Sequence, residues 1–140
     1  MRPVEPASPR FRAVRRFNDI ELHPLARSRS AIGGSTLRYF ASDSLGDRFV
    51  RALGKRHALP VKEVLESFEF FERVRTALRG PCVVDLLCGH GLVGALFAVF
   101  ERAVERVVLL DRTRPPSFDV MCAALDEVAP WAAGLCRGPT

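Results

Sequence analysis

Long apolar runs are missing from this chain, and no secretory leader is expected. The longest apolar segment, Leu92–Phe100, is far shorter than the roughly 18–20 residues that a membrane-spanning helix needs. The arginines near the N-terminus are not followed by an apolar core, so we do not expect them to form a secretory signal. Apolar residues make up 48% of the sequence and charged residues 26%, which is typical of a globular protein. We therefore expect one domain at most, located in the cytoplasm and without a membrane partner.

The sequence also lacks a CxxC pair. Its cysteines are Cys82, Cys88, Cys122 and Cys136. Cys82 and Cys88 flank a predicted strand and its turn, which is a poor setting for a disulfide framework, so we expect reduced thiols. A zinc site made of Cys82, Cys88, His90 and Cys122 would have a spacing that matches no familiar ligand pattern. No metal site is therefore predicted.

Acidic residues are scarce in the N-terminal part. Residues 1–56 carry twelve Lys or Arg against five Asp or Glu, whereas residues 57–140 carry nine against eleven. Residues 1–17 are rich in Pro and Arg without an apolar period, which predicts a flexible basic arm. Arginines interleaved with aromatic residues are one way in which proteins contact nucleic acid. The alternative, which we favour here, is a solvated arginine-rich tail.

Residues 18–59 predict a lead-in of loops and helix, and a second helix follows it. Ser44 or Asp47 is placed to cap a helix that runs to about His57. Pro60 opens the most regular amphipathic stretch of the chain, which predicts a helix to about residue 79, before Gly80 and Pro81. Its apolar residues recur at three- and four-residue steps and are Val61, Val64, Leu65, Phe68, Phe71, Val74 and Leu78.

The next stretch predicts a β-α-β unit. Cys82–Leu86 and Arg106–Leu110 are apolar on both faces and predict buried strands, and a buried helix runs between them from Gly91 or Leu92 to about Glu101. A further helix is expected over residues 118–128, capped by Ser117.

No strand is predicted after Trp131. Because two strands make a sheet with a bare edge, the chain looks like the N-terminal part of an α/β domain. A partner or a second copy is expected to cover that edge.

The glycine turn after the first strand points to a nucleotide cofactor. The spacing Gly89-x-Gly91-x-x-Gly94, with Asp111 after the next strand, satisfies the dinucleotide fingerprint, but that fingerprint alone is weak. The discriminating residue is Asp85, which lies four positions before Gly89. A carboxylate there would repel a pyrophosphate but suits a cofactor that carries an ammonium and a sulfonium group. This charge favours S-adenosylmethionine over NAD.

These residues resemble the first two motifs of the class I S-adenosylmethionine-dependent methyltransferases, which have a Rossmann-like fold. The resemblance covers roughly residues 60–130, so we describe residues 60–140 as the N-terminal part of such a domain. It implies a cofactor site formed by Asp85, Cys88, Gly89, His90, Gly91, Asp111 and Arg112. Asp85 would place the methionine end and Asp111 the ribose hydroxyls, while Arg112 would flank the adenine. Many family members have a glycine where this chain has Leu87.

Other residues of the turn have simpler interpretations, and the function has alternatives. His90 is expected to contribute its backbone rather than to act as a base, and Cys88 to be a small turn residue. No catalytic residue is predicted, and the methyl acceptor, whether small molecule, RNA or protein, is left open. The alternatives are an NAD- or FAD-binding oxidoreductase fragment, or a truncated non-catalytic module that binds nucleic acid through its basic arm.

Overall fold

A parallel β-sheet lies at the centre of the computed structural model, which describes residues 10–139. Its strands are β1 (Cys82–Leu86), β2 (Arg106–Leu110) and β3 (Cys136–Arg137). The α-helices formed by the described residues are α1 (His23–Ala26), α2 (Leu45–Lys55), α3 (Val61–Val74), α4 (Leu92–Phe100), α5 (Pro116–Val128) and α6 (Pro130–Ala133). Short 3-10 helices over Arg15–Asn18, Ile20–Leu22 and Gly34–Phe40 precede α2. The chain therefore has the α/β fold that its sequence predicts.

The sheet has the order β1-β2-β3, and both strands expected from the sequence have their predicted bounds. β1 and β2 pair in parallel, and α4 makes the crossover between them. The expectation of no strand after Trp131 is wrong, because β3 extends the sheet beyond β2. The backbone N–H of Val107 donates to the carbonyl oxygen of Leu135 over 2.9 Å at the start of this pairing. A strand of two residues is too short to show any alternation in the sequence.

One face of the sheet is covered and the other is open. Helix α4 contacts all three strands, and Val107 and Leu109 are fully buried on its side. On the opposite face the side chains of Val84, Leu86 and Leu110 are 53%, 69% and 45% exposed. The prediction that both strands are buried on both faces is therefore wrong. An apolar strand sequence shows that both faces suit burial, but it does not show which face the chain's own helices cover.

The outer edge of β1 has no strand beside it among the described residues. Its backbone groups are therefore available to a further strand. The expectation that a partner or a second copy covers this edge stays a prediction.

The segment before the first helix packs against the rest of the fold. Phe11, Val14 and Phe17 are buried, and they follow one another at three-residue steps. The Glu69 carboxylate on α3 accepts the backbone N–H of Arg12 at 2.8 and 2.9 Å. Over residues 10–17 the predicted flexible arm is therefore wrong, because its apolar side chains have a core to enter. Residues 1–9, which that prediction also covers, lie outside the described part.

Helix α2 begins as expected. Ser44 is its N-cap, and its side-chain oxygen accepts the backbone N–H of Asp47 over 3.2 Å. The helix supplies a central part of the apolar core, together with side chains from α3, α4 and α5. The large, fully buried side chains of these helices include Phe49, Leu53, Leu65, Leu96, Phe97 and Met121.

Two helix ends differ from the prediction. Helix α3 ends at Val74, and Leu78, expected on its apolar stripe, is 54% exposed because the last five predicted residues leave the helix. Helix α5 begins at Pro116 with Pro115 as its N-cap, so Ser117 is not the cap. The fixed φ of proline suits the first helical position, and the helix starts two residues earlier than predicted. None of the described helices combines the length and apolarity needed to cross a bilayer.

Candidate cofactor site

The site predicted from the sequence lies at the carboxyl ends of β1 and β2. Residues 87–91, called the glycine turn below, connect β1 to α4, and Asp111 follows β2 directly. The turn begins as an extension of the sheet, because the N–H of Cys88 donates to the carbonyl oxygen of Leu110 over 2.9 Å. It then closes with a bond of 2.8 Å from the N–H of Gly91 to the carbonyl oxygen of Cys88. Asp85, the glycine turn and Asp111 are therefore brought to one edge of the sheet.

Backbone conformation explains two of the glycines. Gly89 and Gly91 have φ angles of 54° and 82°, which side chains rarely adopt. A Cβ atom on Gly91 would also lie 3.0 Å from a ring carbon of Phe118. A Cβ atom on Gly89 would have no heavy atom within 4 Å, so the backbone there faces open space. Gly91 is thus needed for packing, whereas Gly89 leaves bare backbone for a ligand to approach.

Leu87 occupies the position where the resembling family often has glycine. Its φ angle is 61°, and its side chain is 74% exposed. The left-handed conformation costs an L-residue about 1–2 kcal/mol, which explains why glycine suits this position. The turn keeps the glycine-like backbone here even though its residue is leucine.

The Asp111 carboxylate organises the turn from the neighbouring strand. Its Oδ2 accepts the N–H of Gly89 over 2.8 Å, and its Oδ1 accepts the N–H of Arg112 over 2.6 Å and that of Thr113 over 3.4 Å. These backbone donors, Gly89 first, hold the pKa of Asp111 below its usual range. The carboxylate is therefore ionised at neutral pH, with one acceptor direction of Oδ2 still available.

Asp85 lies on β1 with its side chain on the face that α4 covers. Burial raises the pKa of this carboxyl group, and the nearby Asp111 carboxylate raises it further. The backbone N–H of Gly94 on α4 acts in the opposite direction. Asp85 and Asp111 thus place two carboxylates close together at the end of the sheet, and a cation bound between them would relieve their repulsion.

We expect the substitution Asp85→Asn to stabilise the fold. An acid whose pKa is raised on folding lowers stability as the pH rises from its unfolded pKa through its higher folded pKa. The variant should therefore melt about 2–5 °C higher than the natural protein at neutral pH, and the two melting temperatures should converge in acid. Differential scanning calorimetry across pH measures this difference. Asp126→Asn, at an exposed position on α5, is the matched control. An Asp85→Asn variant that melts lower at neutral pH would contradict this interpretation.

The remaining predicted residues contribute differently. Cys88 is buried, and burial, with the Asp85 and Asp111 charges, raises the pKa of its thiol to about 11. It is therefore a protonated turn residue at neutral pH and a poor nucleophile. Arg112 is exposed, and its N–H is one of the donors to Asp111. Its predicted contact with adenine stays a prediction.

His90 faces α3. Its ring lines a shallow groove with Glu63, Ser67 and Phe70, and its Nδ1 accepts the N–H of Leu92 over 3.2 Å at the start of α4. Burial lowers the pKa of His90, while the Glu63 carboxylate raises it. A neutral imidazole is the form that can accept this bond. The His90 side chain thus bonds the first N–H of α4, while its expected backbone contribution to the cofactor site stays a prediction.

Gly94 has a role that the spacing alone does not reveal. A Cβ atom at this position would collide with a methyl carbon of Leu109 on β2, so its absence lets α4 lie directly on the sheet. The same close approach brings the Gly94 N–H toward Asp85. The third glycine of the motif therefore positions the helix rather than touching a ligand.

No group of three or more metal-ligating side chains converges within residues 10–139. Cys82 and Cys88, two members of the zinc set considered from the sequence, lie at opposite ends of β1. All four cysteines are free thiols.

Comparison with known proteins adds no relative: no family model, curated protein or solved structure matches this chain.

Proposed function

We propose that this chain binds S-adenosylmethionine at the glycine turn and acts in methyl transfer. The observation that carries the proposal is the pair of carboxylates, Asp85 and Asp111, at the carboxyl ends of adjacent parallel strands. Ligands of open α/β sheets bind outside the carboxyl ends of the strands. A site with two carboxylates at this place suits a ligand that carries positive charge.

The residues present fit that cofactor. Asp111 is ionised and keeps an acceptor direction for a ribose hydroxyl. The longest of its present hydrogen bonds, 3.4 Å from the N–H of Thr113, can give way to a second ribose hydroxyl. Gly89 faces open space, so no side chain stands between a ligand and its backbone. Asp85 offers a half-buried carboxylate to the ammonium of the methionine moiety.

The hydrogen bonds within the glycine turn disfavour a dinucleotide cofactor. A pyrophosphate is bound by free N–H groups at the start of the helix after the first strand. Here the N–H groups of Gly89, Gly91 and Leu92 already donate to Asp111, Cys88 and His90 respectively. The two carboxylates would also repel the phosphates, since both lie at the end of the sheet where the pyrophosphate would bind. An NAD- or FAD-binding function is therefore the weaker candidate.

When bound, S-adenosylmethionine supplies an electrophilic methyl group on a sulfonium. The chain's residues would bind and orient this donor. Asp111 would bind its ribose and Asp85 its amino-acid end, and the Gly89 backbone would lie beside the part of the donor between them. Orientation of donor and acceptor accounts for most of the rate gain in such a transfer. We assign no base: besides the two carboxylates the turn carries His90, whose ring faces α3 and whose Nδ1 already accepts the N–H of Leu92.

Calorimetric titration of the full chain with S-adenosylmethionine, S-adenosylhomocysteine and NADH tests the proposal. We expect saturable binding of the two adenosyl ligands and none of NADH. Affinity should fall in acid as Asp85 takes up its proton, because only the ionised carboxylate attracts the ammonium group. Binding of NADH alone would replace the proposal with the oxidoreductase alternative.

A further inference from the structure

A groove with an excess of positive charge runs along one face of α3. At one end lies a cavity of about 550 Å³ lined by Arg10, Arg12, Arg15 and Arg73. At the other end lies a cavity of about 410 Å³ lined by Arg27, Arg29 and Lys62. Phe11 lines both cavities, so they are neighbours. We call these seven cations and the space between them the basic groove.

The helix gives the groove its direction. Lys62, Glu66, Glu69 and Arg73 lie three or four residues apart, which places them on one stripe of α3. The eleven residue steps from Lys62 to Arg73 span about 17 Å, which is long enough to follow several successive phosphates of a nucleic acid. The basic groove is therefore a track rather than a pocket for one anion.

The acidic side chains on this stripe are already bound. Glu69 accepts the N–H groups of Arg12 and Ala13 and the Nε of Arg73. Glu66 pairs with Lys62 at 3.5 Å. Glu72, which also lines the larger cavity, pairs with Arg75 at 3.5 Å. Glu69 alone holds residues 12 and 13 against α3, and the three carboxylates leave most of the groove's cations uncompensated.

Several arginines of the basic groove are not paired with a carboxylate in this way. Within the described residues, the side chains of Arg10, Arg12, Arg27 and Arg29 donate no hydrogen bond and form no ion pair. At the C-terminal end of α2, by contrast, Lys55 and Arg56 pair with Glu127, and Arg51 donates to the carbonyl oxygens of Phe40 and Ser42, so Arg48 is the one cation of α2 without such a bond among the described residues. The basic groove is thus the place where unpaired guanidinium groups converge.

We propose that the basic groove binds the phosphodiester backbone of a nucleic acid. Convergent guanidinium groups along a track suit a row of phosphates, because each contact releases counterions from the polyanion. The aromatic residue between the cavities, Phe11, is only 8% exposed and cannot stack on a base. Recognition is therefore through phosphates and independent of base sequence.

The groove also leads to the candidate cofactor site. Glu66 lines the smaller cavity of the groove and also the depression that contains His90 of the glycine turn. A strand bound along α3 would approach the end of the sheet where the methyl donor is proposed to bind. The methyl acceptor would then be a nucleic acid. That assignment rests on the proposed function, whereas the binding of nucleic acid to the basic groove does not.

Fluorescence anisotropy with labelled oligouridylate and with oligothymidylate of the same length tests the groove, using the full chain without cofactor. The test variant changes Arg12, Arg27 and Arg29 to alanine. We expect saturable binding by the natural chain and at least a tenfold loss in the variant at low salt. The slope of log K against log salt concentration should also become shallower by about 2 in the variant. Each phosphate contact contributes about 0.7 to that slope on a single strand, and the variant removes three arginines.

The matched control changes Arg48, Arg79 and Arg102 to alanine and removes the same net charge. Within the described part these three side chains also make no hydrogen bond. An equal loss of affinity in both variants would overturn the proposal, since net charge alone would then explain binding. Binding to vesicles that contain phosphatidylserine, with no saturable binding of either oligonucleotide, would overturn it as well.

The comparison of oligouridylate with oligothymidylate assigns RNA or DNA as the preferred source of the phosphates. Failure of the groove test leaves the calorimetric test of S-adenosylhomocysteine untouched, and the reverse also holds. The two proposals can therefore fail separately.

Discussion

Replacing Asp111 with alanine should weaken S-adenosylhomocysteine binding by about ten- to 150-fold, the range for hydrogen bonds that involve a charged group. The substitution removes the acceptor proposed for the ribose hydroxyls. It also releases the N–H groups of Gly89 and Arg112, and the Gly89 bond of 2.8 Å is the one that holds the glycine turn beside the end of β2. Calorimetric titration of both proteins at neutral pH measures the change.

The matched control is Asp119→Ala, which removes a carboxylate from the exposed ion pair with Arg114 near the start of α5. Affinity should be unchanged in this variant. A thermal melt of each protein shows whether the Asp111 variant is still folded at the temperature of titration. A folded Asp111→Ala variant with natural affinity would remove this residue from the site.

Replacing Gly94 with alanine should destabilise the protein by about 1–3 kcal/mol, the cost of adding a carbon to a close-packed interior. The new Cβ atom would collide with Leu109, so α4 would have to move away from the sheet. Alanine ordinarily favours a helix over glycine, which makes the expected sign the opposite of the propensity effect. Urea unfolding followed by circular dichroism measures the difference in free energy.

Gly46→Ala on α2 is the control for helix propensity. A Cβ atom there would lie 3.7 Å from a ring carbon of Phe68, which is an ordinary contact. This variant should therefore be more stable than the natural protein by about 0.5–1 kcal/mol. Stabilisation by both substitutions would show that α4 does not lie as close to β2 as described above.

The β-α-β unit could be predicted because its signals are local and strong. The bounds of β1 and β2 follow from two apolar runs, of which the first has Asp85 next to its last residue and the second is followed by Asp111, and the turn follows from its glycines. The α2 cap could be predicted for the same reason, since Ser44 precedes a regular apolar period. In each case the residues that form the structure are neighbours in sequence.

The features that sequence reasoning missed depend on distant partners. β3 forms because Val107 and its neighbour in β2 pair with a two-residue segment. Two residues are too few to show the pattern of a strand in the sequence. The packing of residues 10–17 depends on Glu69, more than fifty positions away. In that segment one local signal was available, the three-residue spacing of Phe11, Val14 and Phe17, but the surrounding arginines and prolines obscured it.

The candidate site divides in the same way. That Asp85, Gly89 and Asp111 share one edge follows from two parallel strands that end together. Two other features depend on side-chain directions, which the spacing of residues in the sequence does not determine. They are the hydrogen bond from the N–H of Gly89 to Asp111 and the orientation of His90 toward α3. The sequence therefore predicts which residues meet, and the structure adds which of their atoms are already bonded.

The central claim is that a charged adenosyl ligand binds against the glycine turn. A titration of the ¹⁵N-labelled chain with S-adenosylhomocysteine, followed by amide proton–nitrogen correlation spectra, tests it most directly. We predict that the largest shifts occur at the backbone amides of Gly89, Gly91 and Arg112, while amides at the opposite end of the sheet stay in place. Saturable binding with its largest shifts away from the carboxyl ends of β1 and β2, or no shifts at all, would contradict the account.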